Sequence, residues 1–115
     1  DADGYLFLDG RADDTIIRGG ENIAPAEIED ALLRHPDVVE CAVVGVPDDE
    51  WGQRIAAAVV VAPGATATPD DLRGWVRGRL RGSRTPDVIE LCDALPYTDT
   101  GKLLRREVRS TLAGR

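Results

Sequence analysis

Short apolar runs, separated by turn-forming residues, predict five strands in this chain. Residues 5–8 and 15–17 flank a polar stretch and are expected to form an N-terminal hairpin. Longer runs at residues 38–46 and 55–62 predict two further strands, and residues 88–91 predict the last. The run 55–62 contains no polar residue, so both faces of that strand are expected to be covered.

Three other stretches repeat apolar residues every three or four positions, which predicts helices. Pro25 suits the first turn of the first helix, and Ile28, Ala31 and Leu32 form its buried face. The second helix starts at a capping sequence, Thr68-Pro69-Asp70-Asp71, and is expected to end at Gly82-Ser83. The third helix carries apolar residues at four-residue spacing: Leu104, Val108 and Leu112.

The resulting order predicts a small α+β domain. It has an N-terminal β-hairpin and a short central sheet of about three strands flanked by helices. Two loops stand out in this order, a glycine loop at residues 19–22 and an acidic loop at residues 45–52. A domain of this size is not expected to enclose a deep pocket, so any chemistry would use residues contributed to a site built largely elsewhere.

Composition narrows the class of protein. The chain has 115 residues, 43% of them hydrophobic and 30% charged, which suits one soluble globular domain. No apolar run approaches the ~20 residues of a membrane span, and the two cysteines with one histidine predict neither a disulfide framework nor a metal site. Buried thiols and a cytoplasmic location are expected. The missing initial methionine suggests a piece of a longer protein.

Charge is distributed unevenly along the chain. The net charge is −7, with acidic residues concentrated in the first 50 positions and arginines in the rest. The basic half suits either an anionic ligand such as a nucleotide or a solvated helix face. The acidic total and the low aromatic content, 4%, argue against a nucleic-acid partner.

One residue is singled out by its rarity. Lys102 is the only lysine beside thirteen arginines, and it follows Gly101 at the end of a turn-rich loop. A compact ammonium on a long stem suits insertion into a ligand site, although a solvated loop lysine explains the same sequence. A phosphate-binding P-loop is excluded, because Leu103 follows the lysine and Pro96 stands where the first glycine belongs.

Two long segments carry a family resemblance. Residues 10–29, GRADDTIIRGGENIAPAEIE, resemble the linker-and-hinge motif of adenylate-forming enzymes, and residues 95–102, LPYTDTGK, resemble their C-terminal lysine motif. Residues 43–53 match the same pattern. That superfamily contains acyl-CoA synthetases, adenylation domains of peptide synthetases and beetle luciferases.

The resemblance implies that this chain is the small, mobile C-terminal lid domain of such an enzyme. Residues 1–12 would be the tail of a large N-terminal domain and the linker to the hinge, and residues 13–115 the C-terminal domain. By the same resemblance, Lys102 is the adenylation lysine, Asp13 the hinge and Arg11 a nucleotide-binding residue. Gly19, Gly20 and Glu21 would line the channel for CoA or its pantetheine arm.

The implied function is that of an AMP-forming acyl-CoA synthetase, which uses ATP, Mg²⁺ and CoA and acts on a fatty, aryl or other small acid. ATP and Mg²⁺ would be held mainly by the N-terminal domain, which is the expected partner, and the isolated fragment would be inactive. Two alternatives remain. The first is an adenylation domain that loads a carrier protein, and the second, of another class, is a stand-alone ligand-binding or regulatory module.

Overall fold

The computed structural model describes residues 15–50, 52–80 and 84–113. The predicted strand at residues 5–8 lies outside this part, as do Arg11 and Asp13. The described elements are strands β1 Ile16–Arg18 and β2 Glu21–Ile23, helix α1 Pro25–Leu33, strands β3 Val38–Asp48 and β4 Gly52–Val61, helix α2 Pro69–Arg77, strand β5 Val88–Leu91 and helix α3 Arg105–Ala113.

The central sheet has the strand order β3-β4-β5. Strand β4 pairs antiparallel with β3, where Ala42 lies opposite Ala58, and parallel with β5, where Ala57 lies opposite Ile89. The parallel pair requires a crossover connection, which α2 supplies. Every residue from 55 to 60 is buried. The prediction that both faces of this strand are covered is therefore confirmed.

Alternate residues of the sheet belong to two separate hydrophobic clusters, one on each face. Val43, Ile55 and Val59 face one side, where α1, α2 and the β1–β2 hairpin pack. Val44 and Ala58 face the other side, where α3 packs. The helix residues in the two clusters are Ile28, Leu32, Leu72 and Val76 on the first side, and Val108 and Leu112 on the second. The α+β class and the flanked three-stranded sheet are confirmed.

Helices α1 and α2 begin at the residues that the sequence predicts. Pro25 occupies the first turn of α1, and the face of that helix with Ile28 and Leu32 is fully buried. At the start of α2 the Asp71 amide donates to Thr68 Oγ1 at 3.1 Å, and the Thr68 amide donates to Asp71 Oδ2 at 3.0 Å. This capping box contributes about 1 kcal/mol to helix stability.

The hairpin at the start of the described chain contains a strand that the sequence analysis took for loop. Strand β1 pairs with β2, and the residues predicted to be a glycine loop form the turn and the second strand. Gly19 has φ +59° and Gly20 has φ +84°. A two-residue hairpin turn of the kind that matches strand twist needs positive φ at both positions, and glycine adopts it without steric cost. The apolar pattern indicated the first of these strands but not the second, because Glu21 and Asn22 in the second are polar.

Two element boundaries also differ. The acidic loop predicted at residues 45–52 is mostly strand, because β3 continues through Pro47 and Asp48 to pair with the start of β4. Proline is tolerated there because β3 is an edge strand. Helix α2 ends at Arg77 with Gly78 as its C-cap, before the predicted end at Gly82-Ser83, which lies outside the described residues.

Within the described residues, no helix combines the length and the apolar character that crossing a bilayer requires.

Candidate active site

The lysine lies in a tight hairpin just before α3. Tyr97 and Leu103 form an isolated antiparallel bridge across its base. The Thr98 amide donates to the Lys102 carbonyl at 2.8 Å, and the Lys102 amide donates to Thr98 Oγ1 at 3.0 Å. Gly101 closes the turn with φ +87°, a conformation that favours glycine. Both main-chain groups of Lys102 are thus fixed by Thr98.

The side chain of Lys102, unlike its backbone, makes no contact that fixes it among the described residues. Lys102 is exposed, and its ammonium has no ion-pair or hydrogen-bond partner in the part of the chain that the structure describes. Arg18, Arg84 and Arg105, by contrast, each pair with a carboxylate. A rigid backbone with an uncompensated charge suits delivery of that charge to an anionic ligand.

Two contacts tie the lysine hairpin to the rest of the domain. The Leu104 amide donates to the Pro96 carbonyl at 2.9 Å, which closes the hairpin against the start of α3. The Tyr97 hydroxyl donates to Glu40 Oε1 at 2.6 Å, which links the hairpin to β3. That hydrogen bond is the main cause of the raised pKa of Tyr97. The hairpin is therefore part of the folded body.

A buried ion pair holds α3 against the free edge of β3. Arg105 Nη2 lies 2.9 Å from Glu29 Oε2, and Arg105 Nη1 donates to the Val43 carbonyl at 3.0 Å. The Val43 amide donates to Glu29 Oε2 at 2.9 Å. Arg109 Nε donates to the Gly45 carbonyl at 3.0 Å, one strand repeat further along. Side chains thus take the hydrogen-bonding positions of a missing neighbouring strand.

This network adds one residue that the sequence analysis did not single out and revises one interpretation. Glu29 is only 7% exposed and pairs with Arg105. Arg105 and Arg109 bind main-chain carbonyls, so their part of the basic half serves the fold. The sequence signal that could have indicated the burial of Glu29 is the helical spacing, because Glu29 lies four residues after Pro25 and three before Leu32, both of which are buried.

The predicted channel residues lie at the tip of the β1–β2 hairpin. A Cβ atom placed on Gly20 would meet no atom within 4 Å, so positive φ, not packing, is what favours glycine there. The Glu21 carboxylate accepts a hydrogen bond from Arg84 Nη1 at 2.7 Å. The same arginine donates through Nε to Glu27 at 2.7 Å. Of the three predicted channel residues, Glu21 is the one with a charged side chain, and it forms an ion pair with Arg84.

The hairpin is docked on the sheet by a residue that the sequence interpretation missed. The Ile17 amide donates to Gln53 Oε1 at 2.7 Å. A Cβ atom on Gly45 of β3 would lie 3.1 Å from the Gln53 side chain, so the glycine leaves room for that side chain to lie over it. This pairing involves two strands and could not be derived from either segment alone.

The predicted site residues fall into two separate groups. Lys102 is on the C-terminal hairpin and Gly19, Gly20 and Glu21 are on the N-terminal one, with no hydrogen bond or ion pair joining them in the described ranges. The predicted roles of Arg11 and Asp13 concern residues outside those ranges.

The cysteines offer no alternative chemistry. Both are free and only partly buried, where the sequence predicted buried thiols. Burial, followed by the charge of Glu29, raises the pKa of Cys41 to about 12. Burial, followed by Glu90, also raises the pKa of Cys92. Both groups stay protonated near neutral pH, which disfavours thiolate chemistry. Across the described ranges, no group of three or more His, Cys, Asp or Glu residues could hold a metal ion.

Comparison with known proteins agrees with these features. The family described as AMP-binding enzyme C-terminal domain matches residues 27–102. A feruloyl-CoA synthase from Amycolatopsis sp. is 49% identical over 95% of this chain and 22% of its own length. The fatty acid–[acyl-carrier-protein] ligase ScoC from Streptomyces coeruleorubidus is 44% identical over 99% of this chain and 22% of its own length.

Solved structures agree with the fold. The crystal structure of ATP-bound MatB from Rhodopseudomonas palustris superposes with a TM-score of 0.86 and 33% identity, over 89% of this chain and 20% of that one. The chain thus spans about a fifth of the length of the relatives it matches.

Proposed function

Because this chain belongs to the family of AMP-binding enzyme C-terminal domains, we propose that it is the mobile C-terminal domain of an AMP-forming acid–thiol ligase. The observation that carries the proposal is the contrast within Lys102. Its main chain is held on both sides by Thr98, while its ammonium is exposed and has no partner in the described structure.

The first half-reaction explains that contrast. A substrate carboxylate attacks the α-phosphorus of ATP, the bond to the β-phosphate oxygen breaks, and pyrophosphate leaves with its electron pair. Negative charge gathers on the attacking carboxylate and the phosphoryl oxygens. An ammonium delivered into that poorly hydrated site stabilises the charge, and one such contact contributes about 10²–10³ in rate. Lys102 has the exposure and the supported backbone that this role needs.

The second half-reaction assigns the N-terminal hairpin. A thiol attacks the acyl carbon of the acyl-adenylate, the bond from that carbon to the phosphate oxygen breaks, AMP leaves with the electron pair, and the thiol proton passes to water. Lys102 is no longer required in this step. We assign Gly19, Gly20 and Glu21 to the thiol channel at this stage. Rotation about Asp13 exchanges one hairpin for the other, because a hinge needs only a few residues that absorb a backbone change. Arg11, beside the hinge, is assigned to the nucleotide.

The cofactors follow from the reaction. ATP and CoA are the co-substrates, and Mg²⁺ would accompany the ATP phosphates. The described residues contain no acidic cluster suited to that ion. As the family resemblance implies, we assign Mg²⁺ and most ATP contacts to the N-terminal domain, which is also the main partner. The acid would be a fatty, aryl or other small carboxylic acid, and the complete enzyme would work in the cytoplasm.

A second acceptor is favoured by one relative. ScoC, named as a ligase of fatty acids to acyl-carrier protein, is 44% identical to this chain. A carrier protein presents the same pantetheine thiol as CoA but without the nucleotide. The hairpins described here suit either acceptor, since both reach the site through that thiol. A stand-alone binding module, the remaining alternative, would leave the free ammonium of Lys102 without a use.

The test is an assay of the full-length protein that carries this chain. Ferulate and a long-chain fatty acid are supplied with ATP, and either CoA or an acyl-carrier protein is the acceptor. We expect AMP, pyrophosphate and a thioester, in amounts that depend on the acid. Formation of ADP and phosphate, or no acid-dependent pyrophosphate release, would contradict the proposal. The preferred acceptor separates the two candidates.

A further inference from the structure

Two oppositely charged residues flank the glycine turn, and both pair with one short segment. Arg18 and Glu21 lie directly opposite each other in the β1–β2 register, on either side of Gly19-Gly20. Arg18 Nη2 lies 2.9 Å from Asp87 Oδ1, and Arg84 Nη1 lies 2.7 Å from Glu21 Oε2. The four charged residues, which we call the glycine clamp, are Arg18, Glu21, Arg84 and Asp87.

Asp87 connects the clamp to the central sheet. Its amide donates to the Ile55 carbonyl at 2.8 Å, and its Oδ2 accepts from the Ile55 amide at 2.8 Å. A second carboxylate contact to Arg18 comes from Nε at 3.2 Å. The Asp87 carbonyl also accepts from Arg73 at 3.2 Å. One side of the glycine turn is thereby fixed to β4, the central strand.

Arg84 fixes the other side of the turn by binding two carboxylates at once. Its Nη1 binds Glu21 in the hairpin and its Nε binds Glu27 in α1, both at 2.7 Å. The Arg84 side chain is 18% exposed, whereas its partners Glu21 and Glu27 are 36% and 46% exposed, so water partly screens both contacts. A planar guanidinium can hold both acids at once, whereas a lysine ammonium is a single point charge.

The base of the hairpin is anchored by the buried Ile16 and Ile23 and by the Ile17–Gln53 hydrogen bond, and within the described ranges its tip has less support than its base. A Cβ atom on Gly20 would have no neighbour within 4 Å, and β1 and β2 have only three residues each. A two-stranded hairpin alone is marginally stable in water. The position of the tip therefore depends strongly on the residues directly beside it, Arg18 and Glu21, which the clamp holds.

We propose that the glycine clamp positions the Gly19-Gly20 turn for thiol transfer, an inference that rests on the proposed function. Arg84 and Asp87 are positioning residues that act through the turn. Glu21 is engaged by Arg84, so it shapes the channel through that ion pair and need not contact the thiol. Misplacement of a reacting group by about 1 Å costs up to about 10²-fold in rate.

The test compares Arg84→Gln and Asp87→Asn with Arg34→Gln in the full-length protein. Arg34 is an exposed arginine at the far end of α1, without a partner in the described structure. The substrate is whichever of ferulate and a long-chain fatty acid the wild type uses better. Both clamp variants should slow transfer from supplied acyl-adenylate to CoA by about 10- to 100-fold. Acid-dependent pyrophosphate release and the control should stay within about twofold of wild type, and Arg84→Lys should recover part of the loss.

Hydrogen exchange gives a readout that does not depend on the reaction. Amides of residues 16–23 should exchange faster in both clamp variants than in wild type or Arg34→Gln. Unchanged exchange in this hairpin overturns the clamp, whatever the activities are. Equal losses in both half-reactions overturn the positioning role. If wild type transfers nothing to CoA, the proposed acceptor step fails and this use of the clamp fails with it, while the exchange data still report whether the ion pairs hold the turn.

Discussion

The Glu29 carboxylate meets the Arg105 guanidinium at 2.9 Å beside the free edge of β3, and the two bind both main-chain groups of Val43. The pair joins α1 to α3, and α3 starts three residues after Lys102. An edge strand with unpaired groups is a site for unwanted pairing, which covering side chains prevent. The same contact that protects the sheet edge therefore also supports the lysine hairpin.

Breaking this pair should cost much more than removing a nearby surface charge. Glu29→Ala leaves the guanidinium of Arg105 buried without its carboxylate and the Val43 amide without an acceptor, so we expect a loss of about 3 kcal/mol. Asp30→Ala, an exposed neighbour in α1, should change stability by less than about 0.5 kcal/mol. Urea unfolding measures both. Equal, small effects would mean that Glu29 is not an essential part of the edge.

The isolated chain is expected to fold but not to catalyse. Two clusters cover the two faces of the sheet, which predicts one cooperative unfolding transition for residues 1–115. The domain lacks the partner that would hold the ATP phosphates under the proposed function. Pyrophosphate release by this fragment, abolished by Lys102→Ala, would contradict the expectation. Circular dichroism during urea unfolding supplies the folding control.

The burial of Cys41 should make the stability of the fold depend on pH in the alkaline range. Folding raises the pKa of this thiol from 9.0 to about 12, so the unfolded chain releases its proton at lower pH than the folded chain. The associated stability is present below pH 9 and is lost as pH rises towards 12. Cys41→Ala should therefore lose stability less steeply than wild type between pH 9 and 11. Urea midpoints measured across that range test this, and parallel curves would contradict it.

The hinge assignment has its own test in the full-length protein. Proline fixes φ near −65°, so Asp13→Pro is expected to trap one domain orientation. Adenylation should be spared and thioester formation impaired. Stopped-flow measurement of each half-reaction decides the outcome, and Asp13→Ala, which removes the same side chain without fixing φ, is the matched control. Equal losses in the two half-reactions of Asp13→Pro would remove support for this hinge.

Features encoded by nearby residues were the most predictable. The capping box of α2 needs only Thr68 and Asp71, and both bonds form where the sequence predicts. Continuous apolar residues likewise indicated that both faces of β4 are covered. In each case the physical cause lies within one short window of the chain.

Features that depend on distant partners were not predictable. A charged residue is rarely buried unless it is paired, so Glu29 reads as a surface acid until Arg105 is placed beside it. Pro47 reads as a turn residue because the sequence does not reveal that β3 lies at the edge of the sheet. The strand after the Gly19-Gly20 turn was missed because it begins with Glu21, a charged residue whose partner, Arg84, comes much later.

The lysine hairpin combines both kinds of feature. Gly101 and the turn-rich sequence before Lys102 indicated an exposed tip, and the structure has Lys102 exposed there. The two hydrogen bonds between Thr98 and the main chain of Lys102 could be identified only from the structure. The catalytic role of Lys102 stays a prediction.

The most direct test of the account is a pair of single-turnover assays on the full-length protein with Lys102→Ala and Lys102→Arg. The first assay measures acyl-adenylate formation from ATP and acid, and the second measures thioester formation from supplied acyl-adenylate and CoA. Arg106→Ala, an exposed charge on α3 without a partner in the described structure, is the control. We predict that Lys102→Ala slows the first assay by at least about 10²-fold and leaves the second nearly unchanged. Lys102→Arg should be nearly as slow, because a planar guanidinium replaces a compact ammonium. A loss confined to the second assay, or variants that match wild type in both, would contradict the role given to Lys102.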